Sequence, residues 1–320
     1  MTDVGFIGLG TMGGPMAMNV LKKGHALTVF DVSDAAVARL TSAGARAAAS
    51  PKAVAAASDV TITMLPDAPD VESVVFGANG LMDGATGPMD GATGLMDGMA
   101  GNTRANGDGL LVVDMSTISP IATRRISAAI GARGGRMLDA PVSGGDVGAV
   151  AGTLSIMVGG APEDFARAKP VFEAMGKTIT HCGPTAAGQL VKACNQIMVG
   201  LVLEACSEAL ILAGKAGIPA DILVPVLQGG MAATRIMELR GRTMEAHVYK
   251  PGFKAAHHLK DLRIVLDTAR ELGLDLPVTT QVERMFTTLV ERGDGNLDNS
   301  AVMTVVEALS MREQMRETKA

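Results

Sequence analysis

The 320-residue sequence predicts an α/β fold: an N-terminal doubly wound parallel sheet followed by an all-α C-terminal domain. Three observations predict it. Short β-rich runs alternate with helical patterns through the first half. A glycine-rich turn follows the first of these runs. After residue 183, apolar residues recur at helical spacing, and the plausible strands end.

The N-terminal domain is predicted over residues 1–184. Its clearest strands are residues 4–9, 27–30, 60–65 and 110–113. Helical patterns rich in Ala, Leu, Val or Met fall at residues 15–23, 35–43, 52–57 and 121–132. This alternation is the order that a sheet covered by helices requires.

The C-terminal domain, residues 185–320, is predicted to be helical and to bind substrate and form a homo-oligomer, a dimer or tetramer. Its first helix, residues 186–216, is apolar on nearly every face, which is typical of a helix buried between domains or subunits. Glu204 and Glu208 interrupt its most apolar stretch and argue against a membrane span.

A seven-residue unit recurs in tandem as LMDGATG, PMDGATG and LMDGMAG over residues 81–101. Two glycines in every seven-residue unit exclude the seam of a coiled coil. We interpret residues 80–107 as a surface-loop insertion; an ion site made from its Gly and Asp residues is the alternative.

Composition limits the class of function. The net charge is -5 without a sustained basic run, so no nucleic-acid partner is expected. No secretory signal precedes the first strand, and no membrane partner is predicted. Cys182, Cys194 and Cys206 lack the paired spacing of a metal site, which favours a reduced, cytoplasmic setting with no bound metal.

A G-x-G-x-x-G motif lies between the first strand and the first helix, and it comprises Gly8, Leu9, Gly10, Thr11, Met12 and Gly13. Gly8 permits the tight turn, Gly10 lets a pyrophosphate approach, and Gly13 permits close helix packing. The helix N-terminus adds amides and a favourable dipole for phosphates. The motif predicts a Rossmann-type dinucleotide site; a turn that binds nothing is the alternative.

Asp31 ends the second strand, where an acid binds the adenosine ribose hydroxyls of a dinucleotide. Val32 and Ser33 follow it rather than an arginine. A 2′-phosphate would therefore meet a carboxylate with no sequence-local cation. This favours NAD over NADP, although a cation from elsewhere in the fold could make NADP possible.

Two further segments carry candidate chemistry. Ser143, Gly144 and Gly145 offer a hydroxyl and unhindered backbone amides suited to a carboxylate, with an ordinary glycine turn as the alternative. Lys192 lies in the apolar helix, with Asn195 and Gln196 three and four residues later on the same face. Because desolvation lowers a lysine pKa towards the range useful for proton transfer, we interpret Lys192 as catalytic rather than as extending to solvent.

Three motifs in order, residues 8–13, 139–145 and 188–195, closely resemble the β-hydroxyacid dehydrogenase family. The family includes 3-hydroxyisobutyrate dehydrogenases and tartronate semialdehyde reductases and is related to 6-phosphogluconate dehydrogenase. A Lys-Asp pair at Lys260 and Asp261 and a final Asp-Asn-Ser-Ala at residues 298–301 extend the resemblance over almost the whole chain.

The resemblance implies a role for each candidate. Lys192 would be the general acid/base, and Ser143, Gly144 and Gly145 would hold the substrate carboxylate. The cofactor would also contact Leu65, Pro66, Thr117 and Lys260. Many members have Asn four residues after the lysine where this chain has Gln196, so either Asn195 or Gln196 could meet substrate.

Residues 229–232 and 252–261 look more like tartronate semialdehyde reductases than 3-hydroxyisobutyrate dehydrogenases, with His258 behind much of that preference. The leading hypothesis is therefore tartronate semialdehyde (2-hydroxy-3-oxopropionate) reductase. The alternative is 3-hydroxyisobutyrate or another short hydroxy-acid dehydrogenase. From a different class, a non-catalytic nicotinamide-binding scaffold is disfavoured by Lys192, as is an imine reductase.

Overall fold

The computed structural model describes residues 1–83 and 109–317, with side chains as far as residue 310. It divides into two compact units, Met1–Lys192 and Ala193–Ala320. The predicted domain boundary after residue 184 stays a prediction. The predicted insertion at residues 80–107 lies almost entirely in residues 84–108, outside the described residues.

A nine-stranded sheet forms the centre of the first unit. Its strands are β1 Asp3–Ile7, β2 Ala26–Phe30, β3 Arg46–Ala47, β4 Val60–Thr63, β5 Leu111–Asp114, β6 Arg136–Asp139, β7 Val142–Ser143, β8 Leu154–Gly159 and β9 Gly176–Gly183. Strands β3-β2-β1-β4-β5-β6 lie side by side and parallel. Strand β8 pairs antiparallel with β6 and β7 and parallel with β9.

Among the described residues, seven helices connect these strands: α1 Gly13–Lys22, α2 Asp34–Thr41, α3 Pro51–Ala56, α4 Ala68–Phe76, α5 Pro120–Gly131, α6 Gly145–Ala151 and α7 Pro162–Met175. Side chains in the preceding loops cap several of them. Ser33 and Ser50 accept hydrogen bonds from first-turn amides of α2 and α3, and Asp67 forms a capping box on α4.

The central strands are buried on both faces, as expected when helices cover a parallel sheet. One apolar cluster includes Phe6, Met16 and Phe172, and a second includes Ile7 and Val54. The register aligns the last residues of five strands, Phe30, Ile7, Thr63, Asp114 and Asp139, at one edge of the sheet. Open sheets of this kind bind ligands beyond that edge, where the strand order reverses between β1 and β4.

The second unit is helical, which confirms the predicted all-α region. Helix α8 Ala187–Lys215 begins in the first unit and continues into this one; it is followed by α9 Ala220–Gln228, α10 Arg235–Glu245, α11 Ala255–Glu271, α12 Pro277–Leu289 and α13 Met303–Glu317. Leu203, Leu262 and Phe286 contribute to its core. In the described part of this unit, the only strand-type pairing is one bridge between Lys254 and Asp298.

Helix α8 is only partly buried within one chain. The helix is long and apolar enough to cross a membrane by length and composition, but the core helix of a soluble protein passes the same test. Only 33% of its most apolar window is buried within the chain. Met198 and Leu212 are 62% and 74% exposed. Within one chain the helix is therefore only partly buried, and the predicted burial between domains or subunits stays a prediction.

Glu204 of α8 makes stability depend on pH. Its two carboxylate oxygens are buried without a hydrogen-bond partner in the described part of the chain. Burial, followed by the charge of Glu208, raises the pKa of Glu204 from its usual 4.5 to about 7. The folded state then holds a proton that the unfolded chain has released, so stability falls as pH rises through this interval.

We expect Glu204→Gln to raise the free energy of unfolding at pH 8 by roughly 1–3 kcal/mol and to change it little at pH 4. Thermal or denaturant unfolding at both pH values measures the difference. Exposed Glu208→Gln, one turn away on the same helix, is the matched control and should show a smaller effect. An equal effect of Glu204→Gln at both pH values would contradict this explanation.

Candidate active site

The glycine motif forms a tight connection between β1 and α1. Gly8 has a φ of +92° and donates its amide to Phe30 O at 3.2 Å. A Cβ on Gly13 would overlap Gly8 O, whereas a Cβ on Gly10 would meet nothing within 4 Å. The first turn of α1 has neither a capping side chain nor an acidic residue, so the positive end of its dipole suits an anion. Leu9 is buried, while Thr11 is exposed and Met12 half-buried. The segment fits a dinucleotide pyrophosphate.

Asp31 lies beside this turn, as the sequence predicts for a ribose-binding acid. Its Oδ2 accepts the Leu9 amide at 2.6 Å, and its Oδ1 accepts the Ser33 amide at 2.7 Å. Arg39 of α2 places Nη2 3.5 Å from Leu9 O. The residues next to Asp31 in the sequence could not reveal this cation, because only the fold brings Arg39 to the turn. Arg39 bears directly on the choice between NAD and NADP.

The loops after β4 and β5 hold the next three predicted cofactor contacts. Leu65 and Thr117 are half-buried, and Pro66 is exposed. The two loops are joined by the Leu65 amide, which donates to Ser116 Oγ at 2.9 Å. Leu65 and Thr117 are therefore brought to the same edge of the sheet.

Asp114, the last residue of β5, hydrogen-bonds to both β4 and the loop after β5. Its Oδ1 accepts Thr63 Oγ1 at 2.9 Å and the Ser116 amide at 3.1 Å. Complete burial raises the pKa of Asp114 to about 6, although hydrogen bonds from Ser116 and Thr63 oppose the rise. The carboxylate thus fixes the start of the loop that carries Thr117.

The predicted substrate cradle follows β6 in the same unit. Ser143 ends β7 and is half-buried, while Gly144 and Gly145 are exposed. Their φ values are +134° and +64°, which side-chain-bearing residues rarely adopt. The backbone here is accessible and requires glycine, a geometry compatible with the predicted carboxylate site.

Asp139 connects this segment to the first turn of α8. Its Oδ1 accepts the Ala186 amide at 2.7 Å, and its Oδ2 accepts the Gln189 amide at 2.9 Å. A carboxylate from β6 therefore caps the helix that carries Lys192. Burial raises the pKa of Asp139, and hydrogen bonds from the α8 amides oppose that rise. Lys192 follows one turn later and is 7% exposed, so its predicted burial is confirmed.

The second unit brings two other predicted residues together through one carboxylate. Gln196 is buried, and its Nε2 donates to Asp261 Oδ2 at 2.7 Å. Lys260 Nζ lies 3.2 Å from Asp261 Oδ1 as an ion pair. Asn195 is half-buried. Asp261 thus contacts both Gln196, a predicted substrate residue, and Lys260, a predicted cofactor residue. In the sequence, only the adjacent pair Lys260 and Asp261 indicated this link.

His258 lies in the core of the second unit. It is fully buried, its Nδ1 is 3.0 Å from Asn299 Nδ2, and its ring centre is 4.6 Å from that of Phe286. This placement favours a structural role over a substrate contact and weakens the substrate preference drawn from His258.

Comparisons with known proteins match both regions of the chain. The family model described as the NAD binding domain of 6-phosphogluconate dehydrogenase matches residues 3–183. The model described as NAD-binding of NADP-dependent 3-hydroxyisobutyrate dehydrogenase matches residues 186–306. The chain belongs to the β-hydroxyacid dehydrogenase family. This confirms the resemblance seen in the sequence.

Relatives of this β-hydroxyacid dehydrogenase match over nearly their whole length. The 2-hydroxy-3-oxopropionate reductase of Escherichia coli is 43% identical over 96% of this chain and 98% of its own. A probable mitochondrial 3-hydroxyisobutyrate dehydrogenase of Dictyostelium discoideum is 38% identical over 93% of this chain and 89% of its own. The crystal structure of 3-hydroxyisobutyrate dehydrogenase from Salmonella typhimurium has a TM-score of 0.80 at 32% identity, covering 94% of this chain and 99% of that one.

Membership establishes the reaction class. The β-hydroxyacid dehydrogenase described here is an NAD(P)-binding oxidoreductase that acts on a CH–OH group. The predicted α/β fold with an all-α C-terminal region is likewise confirmed. An imine reductase from Pseudomonas sp. has a TM-score of 0.60 at 18% identity, which shows a shared fold alone.

Proposed function

We propose that the chain reduces tartronate semialdehyde (2-hydroxy-3-oxopropionate) to the corresponding hydroxy acid, with NAD as the preferred cofactor. The observation that carries this proposal is the 43% identity to the Escherichia coli 2-hydroxy-3-oxopropionate reductase, which extends over nearly all of both chains. The buried Lys192 supports it, since a proton-transfer residue is what the reaction requires.

The residues of the chain would divide the reaction between them. When bound, the nicotinamide supplies or accepts the hydride at the reacting carbon. As an ammonium, Lys192 gives its proton to the aldehyde oxygen during reduction; in neutral form it takes the hydroxyl proton during oxidation. Ser143, Gly144 and Gly145 would bind the substrate carboxylate, and either Asn195 or Gln196 would orient the substrate.

The dinucleotide would be held by the turn Gly8, Leu9, Gly10, Thr11, Met12 and Gly13 through the amides at the start of α1. Asp31 would bind the adenosine ribose, which favours NAD, while Arg39 offers a cation for a 2′-phosphate. Leu65, Pro66, Thr117 and Lys260 would complete the contacts.

A second candidate is 3-hydroxyisobutyrate dehydrogenase, which the Dictyostelium relative and the Salmonella structure favour. A Pseudomonas aeruginosa relative, 36% identical, is named NAD-dependent L-serine dehydrogenase. The acids named in these relatives share a carboxylate and an oxygen at C3 and differ at C2, which carries a hydroxyl, a methyl or an ammonium group. The group at C2 therefore separates the candidates.

A substrate panel tests the proposal. We expect kcat/KM for tartronate semialdehyde with NADH to exceed by at least about tenfold, or 1.4 kcal/mol, the value for methylmalonate semialdehyde. In the oxidative direction, kcat/KM for glycerate should exceed kcat/KM for 3-hydroxyisobutyrate and for L-serine. A reversed order would favour the second candidate, inactivity with every compound would favour the non-catalytic scaffold, and a strong NADPH advantage would overturn the cofactor preference.

Exposed apolar residues and free cysteines support a proposal about assembly and compartment. Met198 and Leu212 on α8 are mostly exposed within one chain, which supports a homo-oligomer that covers them. Sedimentation of the full chain should give at least a dimer, and a monomer would contradict this. The three free cysteines are consistent with a cytoplasmic, reducing setting.

A further inference from the structure

Gln189 occupies a position that the reaction chemistry leaves unexplained. Its side chain is 1% exposed, and Lys192 follows it by three residues on the same face of α8. Its Nε2 donates to Ser116 O at 2.8 Å, and its Oε1 accepts the Ile118 amide at 3.2 Å. The carboxamide therefore binds the backbone on both sides of Thr117.

The loop that Gln189 binds is itself fixed to its neighbours. Ser116 is fully buried and accepts the Leu65 amide through Oγ, while its own amide donates to Asp114. The loops after β4 and β5 are thus one hydrogen-bonded unit, and Gln189 connects this unit to α8. Asp139 holds the other side of the same helical turn through the Gln189 amide.

We propose that Gln189 is a positioning residue, which sets the first turn of α8, and hence Lys192, relative to the loop that carries Thr117, a proposed cofactor contact. The proposal rests on the proposed function, because Lys192 and Thr117 have their roles from it. A displacement of about 1 Å at a reacting group can cost a hundredfold in rate. A link from the cofactor loop to the catalytic helix one turn before the lysine limits such displacement.

The chemistry of the contact requires a carboxamide. One backbone group that it meets is an acceptor and the other is a donor, so the side chain must donate and accept at once. Methionine fills a similar volume but does neither. An ionised glutamate could accept from Ile118 but would place negative charge against Ser116 O. A protonated glutamic acid would again donate and accept.

Three variants test this role. Gln189→Met should lower kcat about tenfold to a hundredfold while the Kd for NADH changes less than about threefold. Gln189→Glu should show a similar loss at pH 8 and recover part of it as pH falls towards 5, relative to the wild type at each pH. The loss in Gln189→Met should not depend on pH in this way.

Arg167→Met is the matched structural control in the same unit. Arg167 binds backbone carbonyls of Asp59 and Gly109, which precede β4 and β5 at the opposite edge of the sheet. The Arg167→Met variant should lose stability without a comparable loss of kcat. If Gln189→Met and Arg167→Met lower kcat equally for equal losses of stability, Gln189 has only a structural role and the proposal fails.

Hydrogen exchange of the cofactor-free protein gives a readout independent of turnover. Gln189→Met should speed exchange in residues 116–119 and at the start of α8, while Arg167→Met should leave both segments unchanged. NADH should slow exchange at the start of α8 in the wild type and not in Gln189→Met. Unchanged exchange in Gln189→Met would overturn the proposal.

Two variants distinguish failure of the role proposed for Lys192 from failure of the role proposed for Gln189. If Lys192→Ala retains turnover, the catalytic role proposed for Lys192 fails whatever Gln189 does. If Lys192→Ala is inactive while Gln189→Met retains full kcat, the positioning role alone fails.

Discussion

Replacing Lys192 with alanine should lower kcat by about 10²–10⁴-fold, the usual contribution of a positioned acid or base. The side chain is buried on α8, one turn beyond the segment capped by Asp139. Its removal takes away the proposed proton donor for the substrate oxygen and leaves the glycine turn unaltered. Steady-state kinetics and titration of NADH should show lost turnover with cofactor affinity within about threefold of the wild type.

Lys215→Ala is the matched control for this variant. Lys215 ends the same helix and is exposed, so its removal should change kcat by less than about twofold. Similar losses in the two variants would indicate a general effect of lysine removal from α8. Near-normal turnover in Lys192→Ala would overturn the catalytic assignment.

The second large effect is expected at Gly10. A methyl group there meets no protein atom within 4 Å, so Gly10→Ala should fold normally. The same methyl would stand where the pyrophosphate approaches the backbone. We expect the Kd for NADH to rise by roughly tenfold to a hundredfold, or about 1.4–2.8 kcal/mol, with the apo melting temperature unchanged. Fluorescence titration and thermal unfolding measure the two quantities.

Gly13→Ala provides the contrasting result. Its Cβ would overlap Gly8 O, so the turn must shift before the methyl group can fit. This variant should lose both stability and cofactor affinity, whereas Gly10→Ala loses affinity alone. Unchanged NADH binding in Gly10→Ala would show that the dinucleotide does not lie against this turn.

Local sequence signals predicted the parts of the fold that depend on local geometry. The turn from Gly8 to Gly13 could be predicted because each glycine has its own steric reason within one strand–helix unit. The first strands could be predicted from short β-rich runs. Strands β3 and β7 have two residues each, too few for any periodicity to reveal them.

Contacts between distant residues could not be predicted in this way. Asp139 and Gln189 are 50 positions apart, and Gln189 lies 73 positions from Ser116. Gln196 and Asp261 are separated by 65 positions. Each pair meets only because the strands and helices pack as they do. The role of Arg39 was missed for the same reason, since α2 returns it to the glycine turn.

For His258, position in the sequence suggested a functional role that the structure does not favour. Its place beside the Lys-Asp pair drew attention to it as a substrate-discriminating residue, but its ring packs in the core against Phe286. A residue next to functional positions on a helix points to a different face, and burial rather than sequence proximity decides its role.

We propose that Lys192 transfers the proton during reduction of a small semialdehyde acid. Single-turnover reduction of tartronate semialdehyde by enzyme-bound NADH, followed by the loss of NADH absorbance, tests it most directly because product release is removed from the rate. We expect Lys192→Ala to slow this step at least about a hundredfold and an added small primary amine to restore part of the rate. Reduction by Lys192→Ala at the wild-type rate, with no response to the amine, would contradict it.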